Sequence, residues 1–152
     1  MDRIPRSLTL AIAALTALAW LVAAVAAPGD QAALSLGFIP ARFSGAEVPW
    51  AAAPAFLTPL TSTIVHSGLV HIGFNLLIFV WCGMAVERVL GGLSLTILYV
   101  AGAYAAALGQ WLTDPMGVVP MVGASGAISA VIATVAVRGM RSIVWIRRIR
   151  SS

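Results

Sequence analysis

Residues 119–138 read VPMVGASGAISAVIATVAVR, and the way this run is accommodated decides the fold. It is apolar enough for lipid, yet Gly123 and Gly126 interrupt its start and Pro120 stands just before them. A helix from Gly126 to Val137 has only 12 residues before Arg138. That is roughly 18 Å of helix, against a hydrocarbon core about 30 Å thick. With Arg138 anchored at one membrane face, the helix starts near mid-depth, and residues 114–124 descend to it in non-helical form. Irregular backbone is tolerated at that depth only when it is buried in protein or lines a water-filled cavity. Ser125 is then expected at the floor of such a cavity, at a helix N-terminus whose free N–H groups favour negative charge.

Composition says that the solvent is lipid. Of 152 residues, 61% are hydrophobic and 9% charged, with a mean hydropathy of +0.99. A soluble domain carries about 25% charged residues, so this chain has too little polar surface to coat a water-soluble globule. A soluble enzyme, a disordered region and a coiled coil are excluded. Nucleic-acid binding is disfavoured as well, because the arginines sit at the edges of apolar blocks instead of on one basic face. Cys82 is the single cysteine, which rules out an intramolecular disulfide and a Cys-based zinc site.

The charges mark out the spans. Leu8–Pro28 is uncharged and long enough to cross; a cleaved signal peptide is the other reading of this first run. Val48–Val86 is too long for one crossing, and Pro49, Pro54 and Pro59 confine a clean helix to about residues 62–84. Residues 93–112 make a third span and 126–137 a short fourth, with 138–152 as a basic tail, either resting on anionic lipid or serving as a stop. Four crossings put Arg3, Arg6, Arg88, Arg138, Arg141, Arg147, Arg148 and Arg150 on one side, leaving Arg42 alone on the other. The positive-inside rule makes the first side cytoplasmic, with both termini there. The expected fold is an all-α, multi-pass membrane bundle forming one domain. Residues 29–57 form the first outer loop, with Phe38, Phe43, Trp50 and Phe56 suited to the interfacial zone.

Polar side chains inside apolar spans are costly and raise a functional hypothesis. The second span reads TSTIVHSGLVHIGFNLL over residues 61–77 and holds His66, His71 and Asn75. His71 and Asn75 share a helix face, while His66 is rotated off it near the helix's outer end. Metal or haem ligation lacks supporting ligands, and a proton relay lacks an acid. Two readings stay open: polar glue between helices, or donors aimed into a cavity. Gly123-Ala-Ser125-Gly126 is likewise open between close helix packing and a nucleophile beside an oxyanion site.

Taken together, His66-x4-His71-x3-Asn75, Gly83-x3-Glu87-x3-Gly91 and Gly123-Ala-Ser125-Gly126 resemble the rhomboid intramembrane serine proteases. The likeness runs from about residue 57 to residue 137. It implies Ser125 as nucleophile, His71 and Asn75 as oxyanion-stabilising side chains, His66 as a supporting polar residue and Glu87 as a structural residue at the cytoplasmic turn. It implies no metal and no cofactor, transmembrane substrates, and a bacterial-type inner membrane. Rhomboids have six core spans and a general-base histidine on the sixth, whereas no histidine follows His71 here, and no Trp-Arg pair stands in the first loop. The expectation is therefore a protease scaffold truncated relative to that core and catalytically silent as these 152 residues stand. The alternative is a four-span protein that binds membrane clients without cutting them; a transporter fragment is the least favoured reading.

Overall fold

The structure is a computed structural model that describes residues 7–27 and 30–150, with side chains up to residue 139. Arg3, Arg6 and the side chains of the basic tail beyond residue 139 lie outside the described residues. Among the described residues seven α-helices follow in order: α1 (Leu8–Ala26), α2 (Gln31–Leu36), α3 (Pro40–Phe43), α4 (Thr58–Thr61), α5 (Leu69–Leu90), α6 (Gly92–Thr113) and α7 (Ser125–Arg150). Short 3-10 turns, Ala55–Leu57 and Ser62–Ile64, flank α4. Among the described residues, the only β pairing is an isolated bridge between Phe38 and Met121. Among the described residues three helices, α1, α5 and α6, are long and apolar enough to cross a membrane, and the chain is an integral membrane protein. The apolar part of α7, Ser125–Gly139, is shorter.

In lipid, tails compete equally for apolar side chains, so helices associate through close packing and hydrogen bonds. The bundle shows both. Along α5 the buried set is Ile72, Asn75, Phe79, Cys82, Gly83 and Val86, one stripe at helical period. Leu69, Val70, Phe74, Leu77 and Trp81 on its other faces stay exposed, as lipid-facing residues do. Gly102 of α6 meets Ala127 and Ala130 of α7, where an added Cβ would stand 2.8 Å from the Ala130 methyl. Ala106 closes on Gly126 in the same way. At the opposite end of the bundle, Glu87 of α5 caps the start of α1: its carboxylate accepts from Ser7 Oγ at 2.7 Å, Leu8 N at 2.6 Å and both Thr9 N and Oγ1. These donors include two N–H groups that a helix start leaves without partners.

Three boundaries differ from the sequence expectation, one of them the far end of the second long helix, which runs six residues past Met84 to Leu90. The second long helix begins at Leu69, not Ser62, because Val65 is extended and Ser67-Gly68 turns the chain before the apolar run. His66 consequently lies on an irregular connector, not on the helix. In turn, α7 does not end at Val137. Its backbone stays helical to Arg150, as no proline follows Pro120 and Gly139 is the single glycine in the tail.

The contacts also set relative height. Taking the end that carries residues 30–57 as the upper one, Gly126 packs on Ala106, seven residues below the α6 terminus at Thr113, or roughly 10 Å. Trp20, six residues below the end of α1, or roughly 9 Å, donates its Nε1–H to the His66 carbonyl at 3.1 Å. The His66 connector and the start of α7 thus sit sunk between taller neighbours.

Candidate active site

Residues 114–124 must reach this depth with their backbone polar groups satisfied. The first loop and Ser62 supply partners. Ala41 N–H bonds Gly117 O at 3.0 Å, and Phe38 and Met121 exchange two backbone bonds of 3.0 and 2.8 Å. Gly123 N–H then donates to Ser62 O at 2.9 Å. Phe38 is 1% exposed, and its ring packs against Phe43 with centroids 5.8 Å apart. Ser44 Oγ bonds Pro115 O at 2.7 Å and receives Trp111 Nε1–H at 2.9 Å, tying the top of α6 to the same loop.

Gly123 carries φ +103°, a left-handed conformation that suits glycine. Its missing side chain has a second use. A Cβ there would stand 2.6 Å from His71 Nε2, so only glycine lets the imidazole lie against this turn. One residue on, Ala124 N–H points at His66 Nε2 at 3.4 Å, inside the protein. The Ala124 carbonyl then accepts from Ile128 N at 2.9 Å, which makes Ala124 the cap of α7. Ser125, Gly126 and Ala127 follow with N–H groups that have no acceptor among the described residues.

Each expected site residue can now be placed. The two imidazoles are neighbours, with ring centroids 4.9 Å apart and planes at 69°. His66 is 6% exposed; its Nδ1 is buried and has no hydrogen-bond partner among the described residues. His71 is half-buried and sits in the first turn of α5. Its Nδ1 lies 3.1 Å from Ser67 Oγ and 3.4 Å from Ser67 N. Asn75 is buried, and its Nδ2 donates to the His71 carbonyl at 2.8 Å, which leaves one amide N–H. Ser125 is exposed, and no hydrogen bond joins its Oγ to His66, His71 or Asn75. Histidines and the Gly123–Ser125 turn are brought together; a direct serine–histidine bond is not.

The single wet cavity expected from sequence is divided. A cavity of about 420 Å³ is lined by Trp20, Asp30, His66, Ser67 and Val122 with alanines of α1 and α2. An open groove of about 530 Å³ is lined by Ser67, Leu69, Val70, His71, Phe74 and Asn75. Ser125 lines neither. The described residues hold no group of three His, Cys, Asp or Glu side chains able to bind a metal. Two residues were missed from sequence: Ser67, which bonds His71, and Ser62, which anchors Gly123. The Ser67-Gly68 pair before an apolar run was a readable turn signal; nothing local marked Ser62.

Known proteins match the stretch that carries this geometry. A family model described as Rhomboid domain matches residues 54–151. Rhomboid-related protein 2 of Mus musculus is 39% identical over 67 residues, 44% of this chain and 22% of that protein. Rhomboid-related protein 3 of Homo sapiens is 33% identical over 73 residues, 48% of this chain and 18% of that protein. Rhomboid protease GluP of Bacillus subtilis (strain 168) is 35% identical over 69 residues, 45% of this chain and 13% of that protein. The chain thus spans under a quarter of the length of each of these relatives.

Proposed function

The chain belongs to the rhomboid family, and from that premise we propose that it carries the serine half of an intramembrane endopeptidase site acting on single-span membrane proteins. The observation that carries this reading is Gly123, whose bare Cα admits His71 Nε2 beside the start of α7. On this reading a substrate carbonyl over Ser125 approaches the free N–H groups of that helix start and His71 Nε2 beside Gly123, with Asn75 one helical turn further along α5. Such convergent donors are what a tetrahedral oxyanion needs. Ser125 is the nucleophile, His66 supports the turn through Ala124, and no cofactor enters the chemistry. The arginine-rich end of the bundle faces the cytoplasm, as in a bacterial inner membrane, with Arg42 and the site toward the opposite face.

A serine hydroxyl also needs a base. In this structure the lone pairs of His66 Nε2 and His71 Nδ1 already accept from Ala124 and Ser67. Neither is offered to Ser125. The 152-residue polypeptide is therefore catalytically silent by itself. Silence favours a second reading, in which the same polar groove binds locally unwound membrane clients without cutting them.

One reconstitution separates these. The purified polypeptide is mixed with a single-span rhomboid model substrate in micelles, and both cleavage and photocrosslinking are followed. The expected result is crosslinking without cleavage, lost in Asn75→Ala. Cleavage that disappears in Ser125→Ala overturns the claim of silence and keeps the protease site. No crosslinking and no cleavage overturns both readings of the groove.

A further inference from the structure

We propose that His66 and His71 are held in opposite neutral tautomers, and that Ser67 is the positioning residue that keeps the His71 proton on Nε2. A backbone N–H can only donate. Ser67 N, 3.4 Å from His71 Nδ1, therefore requires a lone pair on that nitrogen, and Ser67 Oγ at 3.1 Å adds a second donor to it. The proton of neutral His71 then sits on Nε2, the nitrogen packed against Gly123 and bonded to no acceptor among the described residues. Ala124 N–H makes the converse demand on His66: its Nε2 accepts at 3.4 Å, so its proton sits on Nδ1, which is buried with no acceptor among the described residues.

The device follows from local structure. Gly68 is the cap of α5, and His71 is the third residue of the helix. A side chain at that place commonly reaches back to the N–H groups that a helix start leaves open. Here an imidazole does so, and the bond it makes determines which of its two nitrogens points at the Gly123 turn. Ser67 itself is exposed and packs nothing in the core. Its contribution is to the proton's place, not to the fold. That His71 Nε2–H serves an oxyanion rests on the proposed protease-scaffold reading; the tautomers do not.

The test is a nitrogen-15 NMR spectrum of histidine-labelled polypeptide in micelles at about pH 8, above the ordinary imidazole range. With two histidines in the chain, the His66→Gln variant assigns the signals. The expected spectrum has one ring protonated at Nε2 (His71) and one at Nδ1 (His66). Ser67→Ala keeps the backbone donor but loses the hydroxyl. Its Nδ1–H fraction at His71 should rise roughly two- to tenfold, the equivalent of one ordinary hydrogen bond, and Ser67→Thr should restore the parent ratio. Nδ1–H at His71 in the parent overturns the proposal, with no variant needed. So does a Ser67→Ala chain with the parent's ratio. Neither outcome touches cleavage, so a failed protease reading leaves this result standing, and the reverse holds as well.

Discussion

Thr9 gives both its backbone N–H and its hydroxyl to one carboxylate oxygen of Glu87, at 3.0 and 2.6 Å. With Ser7 and Leu8 as further donors, a residue near the lower end of α5 completes the first turn of α1. Glu87→Gln keeps one carbonyl acceptor but turns an amide N–H toward donors. It should lower unfolding stability by about 1–2 kcal/mol, the lower part of the range for bonds to a charged group, since the carboxylate is only half-buried. Glu87→Ala should cost more. Thermal or SDS unfolding midpoints in micelles measure both, and unchanged midpoints would show that α1 needs no such cap.

Gly123→Ala meets two obstacles, a φ of +103° and the His71 ring 2.6 Å from the new methyl. The backbone term alone costs about 1–2 kcal/mol, and the imidazole must also swing away. The expected result is a lower unfolding midpoint together with changed ring signals of His71. A variant with parent-like His71 signals would disprove the close approach.

Glycines on the face between α6 and α7 should behave unlike those elsewhere. Gly102→Ala places a methyl 2.8 Å from both the Ala127 carbonyl and the Ala130 methyl, so the helices must part. Gly109→Ala meets nothing within 4 Å on the same helix, and alanine favours helix by about 1 kcal/mol. The first should destabilise by about 1–3 kcal/mol, as overpacking does, and the second should be neutral or stabilising. Equal midpoints for the two variants would contradict the packing of α6 on α7.

Phe38→Ala should release the descending segment. The ring is fully buried beside the two bonds that Phe38 and Met121 exchange, and such truncations cost about 3–5 kcal/mol. The readout is limited proteolysis: cutting within residues 114–122 should speed up, while the α5–α6 turn at Gly91 keeps the parent's rate. Uniform acceleration at both places would point to global unfolding instead.

Much of the fold was readable in advance. The uncharged runs located α1 and α6 closely, and the shortness of the apolar run after Gly126 placed Ser125 below the top of the bundle. The second span was misjudged at its start because Ser62 to Ile64 carries no breaker, and the 3-10 turn there resembles the opening of a helix. What stops it is Ser67-Gly68, a signal overshadowed by the two histidines on either side. His66, taken for a helical residue, is instead the buried acceptor for Ala124 N–H. Around the Gly123 turn the sequence points to Ser125, His71 and Asn75, but no local pattern tells that Asn75 turns one N–H to the His71 carbonyl or that Ser125 lines neither cavity.

Composition, then, determined the environment, and the placement of charges marked out the long apolar rods, because transfer into lipid is summed residue by residue and charges are expelled to the ends. Tertiary structure decided which nitrogen of which imidazole faces the Gly123 turn. That choice depends on partners 50 or more residues apart, Gly123 against His71 and Ala124 against His66, and on the height at which three helices happen to start. No window of sequence contains those distances; they exist only once α6, α7 and the first loop have packed.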